Sequence, residues 1–299
     1  MIHLAKNNAM DAPAEFTKLS PDEKALFLSL HYRPLGPRDT VRTNIVRAQQ
    51  DLRPSVAALS VEEHIKIMAI YETNAFEAGE GSVICPEASR INHSCLPNVH
   101  HYWNNTIERE TVHAVEDIAA GEEILTTYIQ ICRDSAERKK QLNLYGFTCD
   151  CPACDDSTAF GRASEKRRKR LFQLDQGLAM HSALPVFSPF RNDRKALDAA
   201  LEYAELLREE GVGNMELTRR FVGLWYHSSD EEGEADSYSI REAASFSASI
   251  GNLVKACEWA EKALEMTVCC TGIDCEGYKK DQESMQDFVV RRDRRRRMR

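Results

Sequence analysis

The chain has 299 residues, 42% hydrophobic and 29% charged, with a formal net charge of −8. That length accommodates one large domain or two ordinary ones, and the acidic balance excludes bulk electrostatic attraction to nucleic acid. No apolar run reaches the roughly 18 residues of a membrane span. The opening MIHLAKNNAMDAP has no secretory apolar stretch, so ten cysteines point to a reducing compartment, cytoplasmic and/or nuclear.

Residues 1–19 read as an irregular lead-in. Ser20-Pro21-Asp22-Glu23 is a capping box with proline at the first helical position, and it predicts a short helix to about Leu30. YRPLGPRDT, with two prolines and a glycine, predicts a loop. A second capping box at Ser60–Glu63 opens a helix whose Val61, Ile65, Met68 and Ala69 share one face, ending near Thr73. Residues 20–75 therefore form a helical region.

Residues 76–155 change character. Short apolar pieces, SVICP, TVHAV and EILTTYI, alternate with turn residues, the pattern of short strands. Gly79-Glu80-Gly81 reads as a turn, Ile124–Ile129 as a strand, and Ala136–Leu144 as a short helix. From about residue 162 to 285 the chain reads helical. Ala196, Leu197, Ala200, Leu201 and Ala204 share a face, and Gly251-Asn252 divides Phe246–Leu264 into two helices around a turn. The unit Tyr238–Thr267 is similar to a tetratricopeptide repeat. Asp230–Asp236 is an acidic loop. Of the basic runs, EKRRKR (Glu165–Arg170) reads as the solvated face of a helix, and the 286–299 tail ending RRDRRRRMR as disordered.

Two constellations carry chemistry. Cys149-Asp150-Cys151-Pro152-Ala153-Cys154 presents three thiols close together, which cannot all pair as disulfides. Thiolates in this spacing suit zinc, which takes four ligands. Cys85, Cys95, Cys132 and the C-terminal cysteines are candidates for the fourth, and Cys95 is favoured because it lies in a polar loop. That loop, RINHSCLPN (Arg90–Asn98), concentrates amide, imidazole, hydroxyl and thiol groups in a few residues.

RINHSCLPN, then GEEILTTY (Gly121–Tyr128), then YGFTCDCPAC (Tyr145–Cys154), resembles in order and spacing the C-terminal half of a SET domain with its post-SET zinc segment, of the SMYD-like class and its fungal relatives. The resemblance implies an α+β fold. Small β-sheets would wrap around a pseudo-knot where the NHSC loop and the strand ending at Tyr128 cross, and a TPR-like helical domain would follow. It implies a protein-lysine methyltransferase that uses S-adenosylmethionine. Asn92 would hold the methionine end of the cofactor, His93 would contact the adenine largely through its backbone, and Phe147 would lie against the ring. Tyr128 would be the catalytic tyrosine. Cys95 would complete a closed, structural zinc site with Cys149, Cys151 and Cys154. The partner would be a protein bearing a target lysine, histone or not, with no membrane and no direct nucleic-acid contact.

The family's cofactor-contacting G-x-G strand and its MYND zinc segment have no counterpart before Cys85, and Gly36 is the only glycine in residues 1–75. The expectation is that the chain begins inside the SET domain and binds S-adenosylmethionine weakly. A non-catalytic, zinc-stapled protein-interaction module is the alternative reading.

Overall fold

The computed structural model describes residues 2–4, 11–34, 59–79, 81–185, 187–212 and 240–298. Most of the YRPLGPRDT loop and the acidic segment Asp230–Asp236 lie outside them. The chain divides into two compact units. One holds Met1–Asn92, Glu108–Glu110 and Lys139–Thr148; the other holds His93–Ile107, Thr111–Arg138 and Cys149–Arg299.

The first unit opens with β1 (Ile2–Leu4), α1 (Ala12–Lys18) and α2 (Pro21–Leu28). Regular structure thus stands where an irregular lead-in was expected over residues 1–19. Proline in the first turn of α1 and packing of Ala12 and Phe16 into the core explain the helix. The Ser20 capping box forms as read: Ser20 Oγ accepts from the Glu23 N–H at 3.3 Å, and Glu23 accepts from the Ser20 N–H at 2.9 Å. The Ser60 box does the same for α3 (Val61–Asn74), at 3.2 and 2.7 Å.

From α3 the chain enters β2 (Ala75–Ala78) and returns as β3 (Gly81–Ile84), an antiparallel hairpin in register Ala78↔Gly81. Gly79 adopts φ +60°, the left-handed conformation a tight turn requires. β1 pairs on the other edge of β3, in register His3↔Val83, giving the sheet order β1-β3-β2. The core packs Phe16, Phe27, Leu30, Ile67 and Ile70 against Ile84. Full burial of such side chains stabilises by about 1.5–3 kcal/mol each. The buried Tyr71 hydroxyl is matched by that of Ser82 at 2.7 Å.

The second unit contains the RINHSCLPN loop from His93 onward and the long helices after residue 159. β4 (Asn92–His93), whose first residue closes the first unit, pairs with β7 (Leu125–Thr126). The strand expected over Ile124–Ile129 is therefore only two residues long. Beyond it the Thr127 hydroxyl accepts from the Ile129 N–H at 3.3 Å and donates to the Ile129 carbonyl at 2.9 Å, folding the backbone out of the ladder. β5 (Val99–Asn104) and β6 (Arg109–Ala114) form a separate hairpin. The short helix α4 (Ser135–Leu142) follows.

Among the described residues five longer helices come next, each packed on the next described one: α5 (Ala159–Ser182), α6 (Asp193–Glu210), α7 (Ile240–Ser249), α8 (Leu253–Thr271) and α9 (Glu276–Arg297). The break at Gly251-Asn252 is where the sequence placed it; Gly251 takes φ +83° and Asn252 caps α8 by accepting from Lys255. In α6 the buried stripe is Ala196, Ala200, Tyr203 and Leu207. Leu197, Leu201 and Ala204 flank it, so the core face is rotated from the expected one.

Two corrections concern the basic runs. The 286–299 tail is helical to Arg297, because Phe288 packs into the cluster of Ala244, Ala256, Cys257 and Ala260 and carries α9 onward. Basic side chains in a helix's last turns also complement its dipole. EKRRKR is not simply a solvated face: Arg168 is fully buried, on the stripe of Ser164, Leu171, Leu174 and Leu178. Three-four spacing brings position 168 inward whatever its charge.

Candidate metal centre and the loop that carries it

RINHSCLPN leaves a 3-10 turn at Ala88–Arg90 and passes through β4 into a loop held by its own polar side chains. Ser94 N–H donates to the Thr126 carbonyl at 2.8 Å, and Asn98 N–H to the Leu125 carbonyl at 3.0 Å. The Asn98 amide adds three bonds: its oxygen accepts from the Leu125 N–H at 2.8 Å, and its nitrogen donates to the Glu123 carbonyl at 2.9 Å and to the Glu122 carboxylate at 3.3 Å. Asn98 thus stands in for a missing stretch of ladder, which explains a buried amide at the end of the motif.

His93 is buried, with its ring engaged at both nitrogens. Nδ1 accepts the Tyr128 N–H at 3.1 Å, so in the neutral ring the proton sits on Nε2, which faces the Cys95 sulfur at 3.4 Å. The ring stacks obliquely on Tyr128 at 5.4 Å between centroids. The imidazole is therefore an internal link between Cys95 and Tyr128 rather than an open ligand group.

Cys95, Cys149, Cys151 and Cys154 converge, their sulfurs all within 4.8 Å of one another. Cys95 is fully buried and lies 4.0 Å from Cys149 and 3.6 Å from Cys154. A tetrahedral ion with bonds of about 2.3 Å requires sulfur–sulfur edges of about 3.8 Å, so the donor set and spacing fit. Of the candidates for a fourth ligand, the fold selects Cys95. The Cys154 N–H donates to the Cys151 carbonyl at 2.8 Å, closing the turn that aims both thiols inward. Hydrogen bonds from Cys149, Cys154 and Cys95 hold the Cys151 thiol far below its ordinary range. The same crowding pushes Cys95 up, and Cys154 is lowered to about 6, chiefly by Cys149. One thiolate in the cluster is thus favoured before any ion arrives, as a metal-accepting site requires.

Arg138, from α4, escaped the sequence reading. It is fully buried and donates to the carbonyls of Arg133 at 2.6 Å and Ala153 at 3.1 Å, with Nη2 3.6 Å from the Cys154 sulfur. Four thiolates around a divalent ion carry a net −2, so a buried guanidinium at this distance offsets part of that charge. Nothing in ERKKQ distinguishes Arg138 from its neighbours, because its approach to the cluster is set by Ala153 and Cys154, 15 and 16 positions away.

The other residues singled out from sequence divide between the units. Asn92 and Phe147 belong to the first and are exposed, Phe147 at 37%. His93 and Tyr128 belong to the second, and Tyr128 is half-buried. No described helix is long and apolar enough to cross a membrane.

Comparison with known proteins agrees with this geometry. Residues 13–129 match the SET domain family, a span that starts in α1 and ends just after Tyr128. The match therefore takes in helices over residues that the sequence reading assigned to a lead-in and to the helical region 20–75. The chain is 33% identical over 197 residues to "Histone-lysine N-methyltransferase set5" of Schizosaccharomyces pombe, covering 59% of this chain and 60% of that protein. It is 29% identical over 186 residues to "Putative SET domain-containing protein L678" of Acanthamoeba polyphaga mimivirus, covering 58% and 72%. Against human "N-lysine methyltransferase SMYD2" it is 40% identical over 75 residues, 25% of this chain and 17% of that one. The chain thus spans less than two thirds of the yeast relative. The match to residues 13–129, the relatives so named and the cysteine cluster lead to one statement: this chain contains a region that matches the SET domain, and it is similar to proteins of the SMYD-like class.

Proposed function

We propose that this protein is a SET-type protein-lysine methyltransferase that takes its methyl group from S-adenosylmethionine. The observation that carries the reading is the joining of the Cys95 cluster to Tyr128 through His93, inside a stretch that matches the SET domain. When bound, the cofactor supplies an electrophilic methyl on a sulfonium. The protein's task is then to position and desolvate rather than to supply strong acid or base. The lysine attacks only as the neutral amine, whose ordinary pKa is about 10.4, and an apolar channel lowers that value. In this reading Tyr128 orients the amine. The resemblance assigns Asn92 to the methionine end of the cofactor and Phe147 to its adenine, and both side chains are exposed. The ring of His93 holds Tyr128 rather than the cofactor, which leaves its backbone for the adenine.

The four cysteines are read as a structural zinc site, closed by four thiolates with no open position for catalysis. The crossing of the NHSC loop with the segment through Tyr128 is read as the SET pseudo-knot, and the helices after residue 159 as a TPR-like domain that docks protein partners. The name of the yeast relative favours a histone lysine among protein substrates, and the site of action is cytoplasmic and/or nuclear.

The test is transfer of tritiated methyl from S-adenosylmethionine to core histones, with Tyr128→Phe alongside. The reading requires transfer by the wild type and a loss of about 10²-fold in the variant, a size typical of lost positioning. A wild-type chain that transfers no methyl but keeps its zinc would favour the interaction module instead.

A further inference from the structure

Arg168 sits in a place that neither the metal centre nor the helical packing by itself requires. Its side chain is fully buried in α5, and its guanidinium is used on three sides. Nε donates to Glu210 at 2.8 Å and to Ser164 Oγ at 3.1 Å. Nη2 donates to the Cys95 carbonyl at 2.9 Å, and Nη1 to the Ile131 carbonyl. Those two carbonyls belong to the two segments that make the site. One is the loop that brings Cys95 to the cluster. The other is the chain leaving β7, three residues after Tyr128.

The supporting anion is equally specific. Glu210 is fully buried and also accepts from Ser164 Oγ at 2.5 Å and Arg167 Nε at 2.6 Å. It occupies the last residue of α6, immediately before Gly211 at φ +78°. A carboxylate at a helix C-terminus opposes the macrodipole, so local preference does not place it there. Its role is to neutralise the guanidinium that α5 drives inward. Local rules broken without local gain are where function is looked for. Arginine is needed, since lysine has no planar fork able to reach an acid and two separate carbonyls at once.

We propose that Arg168 is a positioning residue for methyl transfer: supplied by the helical region, it sets the spacing between the Cys95 loop and the segment that carries Tyr128. Ser94 bonds Thr126 on one side of this pair of segments, and Arg168 ties Cys95 and Ile131 on another. The helices after residue 159 are then part of the catalytic architecture and not only a surface for partners. The proposal rests on the methyltransferase reading above, and its test separates the two.

The informative variant is Arg168→Met with Glu210→Met. Removing both charges together leaves neither of the two fully buried ions without its partner, and Arg167, which also loses Glu210, keeps part of its side chain in solvent, so the fold is retained. Hydrogen–deuterium exchange is read over residues 93–98 and 126–132, and kcat and KM are read for methyl transfer to core histones. The expected result is a denaturation midpoint near the wild type, faster exchange confined to those two segments, and kcat lower by about tenfold or more, the usual scale for an outer-shell residue. KM for histone should stay within about twofold, a split that general loosening would not produce. A folded double variant with wild-type exchange and wild-type kcat overturns the proposal. Should the double variant not fold, Arg168→Lys, which keeps the charge but not the fork, is read in the same way. If the wild type transfers no methyl, the functional reading fails, and the exchange result alone decides whether Arg168 holds the two segments.

Discussion

The backbone N–H of Tyr128 donates to Nδ1 of His93 at 3.1 Å, and the other nitrogen of that ring faces the Cys95 sulfur at 3.4 Å. A buried imidazole thus spans the metal centre and the residue read as catalytic. His93→Ala removes an acceptor from one neighbour and a donor from the other. A loss of about 1–3 kcal/mol is expected from such a buried group, measured as the shift in urea midpoint at constant slope. Exchange should also quicken over 126–129 while α8 stays protected.

The four sulfurs within 4.8 Å predict one zinc ion per chain. Zinc that holds two segments together in the folded chain contributes folding free energy, so its removal by a chelator should lower the melting temperature and make four thiols reactive together. Cys151→Ser should reduce bound zinc below half an equivalent in metal analysis. A chain that keeps full metal after loss of Cys151 would exclude the proposed ligand set.

Gly161 tests the approach of α5 to the cysteine turn. A Cβ built there lies 1.9 Å from the Asp155 carbonyl oxygen, one residue after Cys154, and the obstacle is backbone. Gly161→Ala should therefore destabilise by about 1–3 kcal/mol, the usual range for overpacking, although alanine favours helices elsewhere. It should also speed zinc loss to a chelator, because the carbonyl must move with its turn.

Cys85 supplies a pH dependence. Burial, then the nearby Glu110, pushes its thiol from 9.0 up to about 12. Between those values the unfolded chain releases the proton and the folded chain keeps it, so stability falls as pH rises from about 9 towards 12. Chemical denaturation across that window should show the fall, and Cys85→Ala should flatten part of it. Tyr102, also raised to about 12 by burial, contributes the same sign from the second unit and is untouched by that variant.

What could be read in advance follows the range of the interaction. Both capping boxes, the Gly79 turn and the break at Gly251-Asn252 were legible because each is decided within four residues. The strand through Tyr128 was overestimated because Thr127 bonds to Ile129 and ends the ladder locally, an option that apolar alternation conceals. The lead-in was underestimated because α1 exists through burial of Ala12 and Phe16 among distant side chains.

The sequence by itself determined the chemistry on offer: three clustered thiols, a polar loop with a fourth, and a tyrosine behind a short strand. It also determined, through the order of these motifs, which family the chain resembles. Only the tertiary structure decided which cysteine joins the other three, and that the His93 ring serves the protein rather than a ligand. It alone turned Arg138 inward, and Arg168 inward from a run that reads as solvated. The reason is physical. Spacing fixes what neighbours can do, whereas a buried guanidinium is stable only where chain segments far apart in sequence bring it carbonyls and a carboxylate.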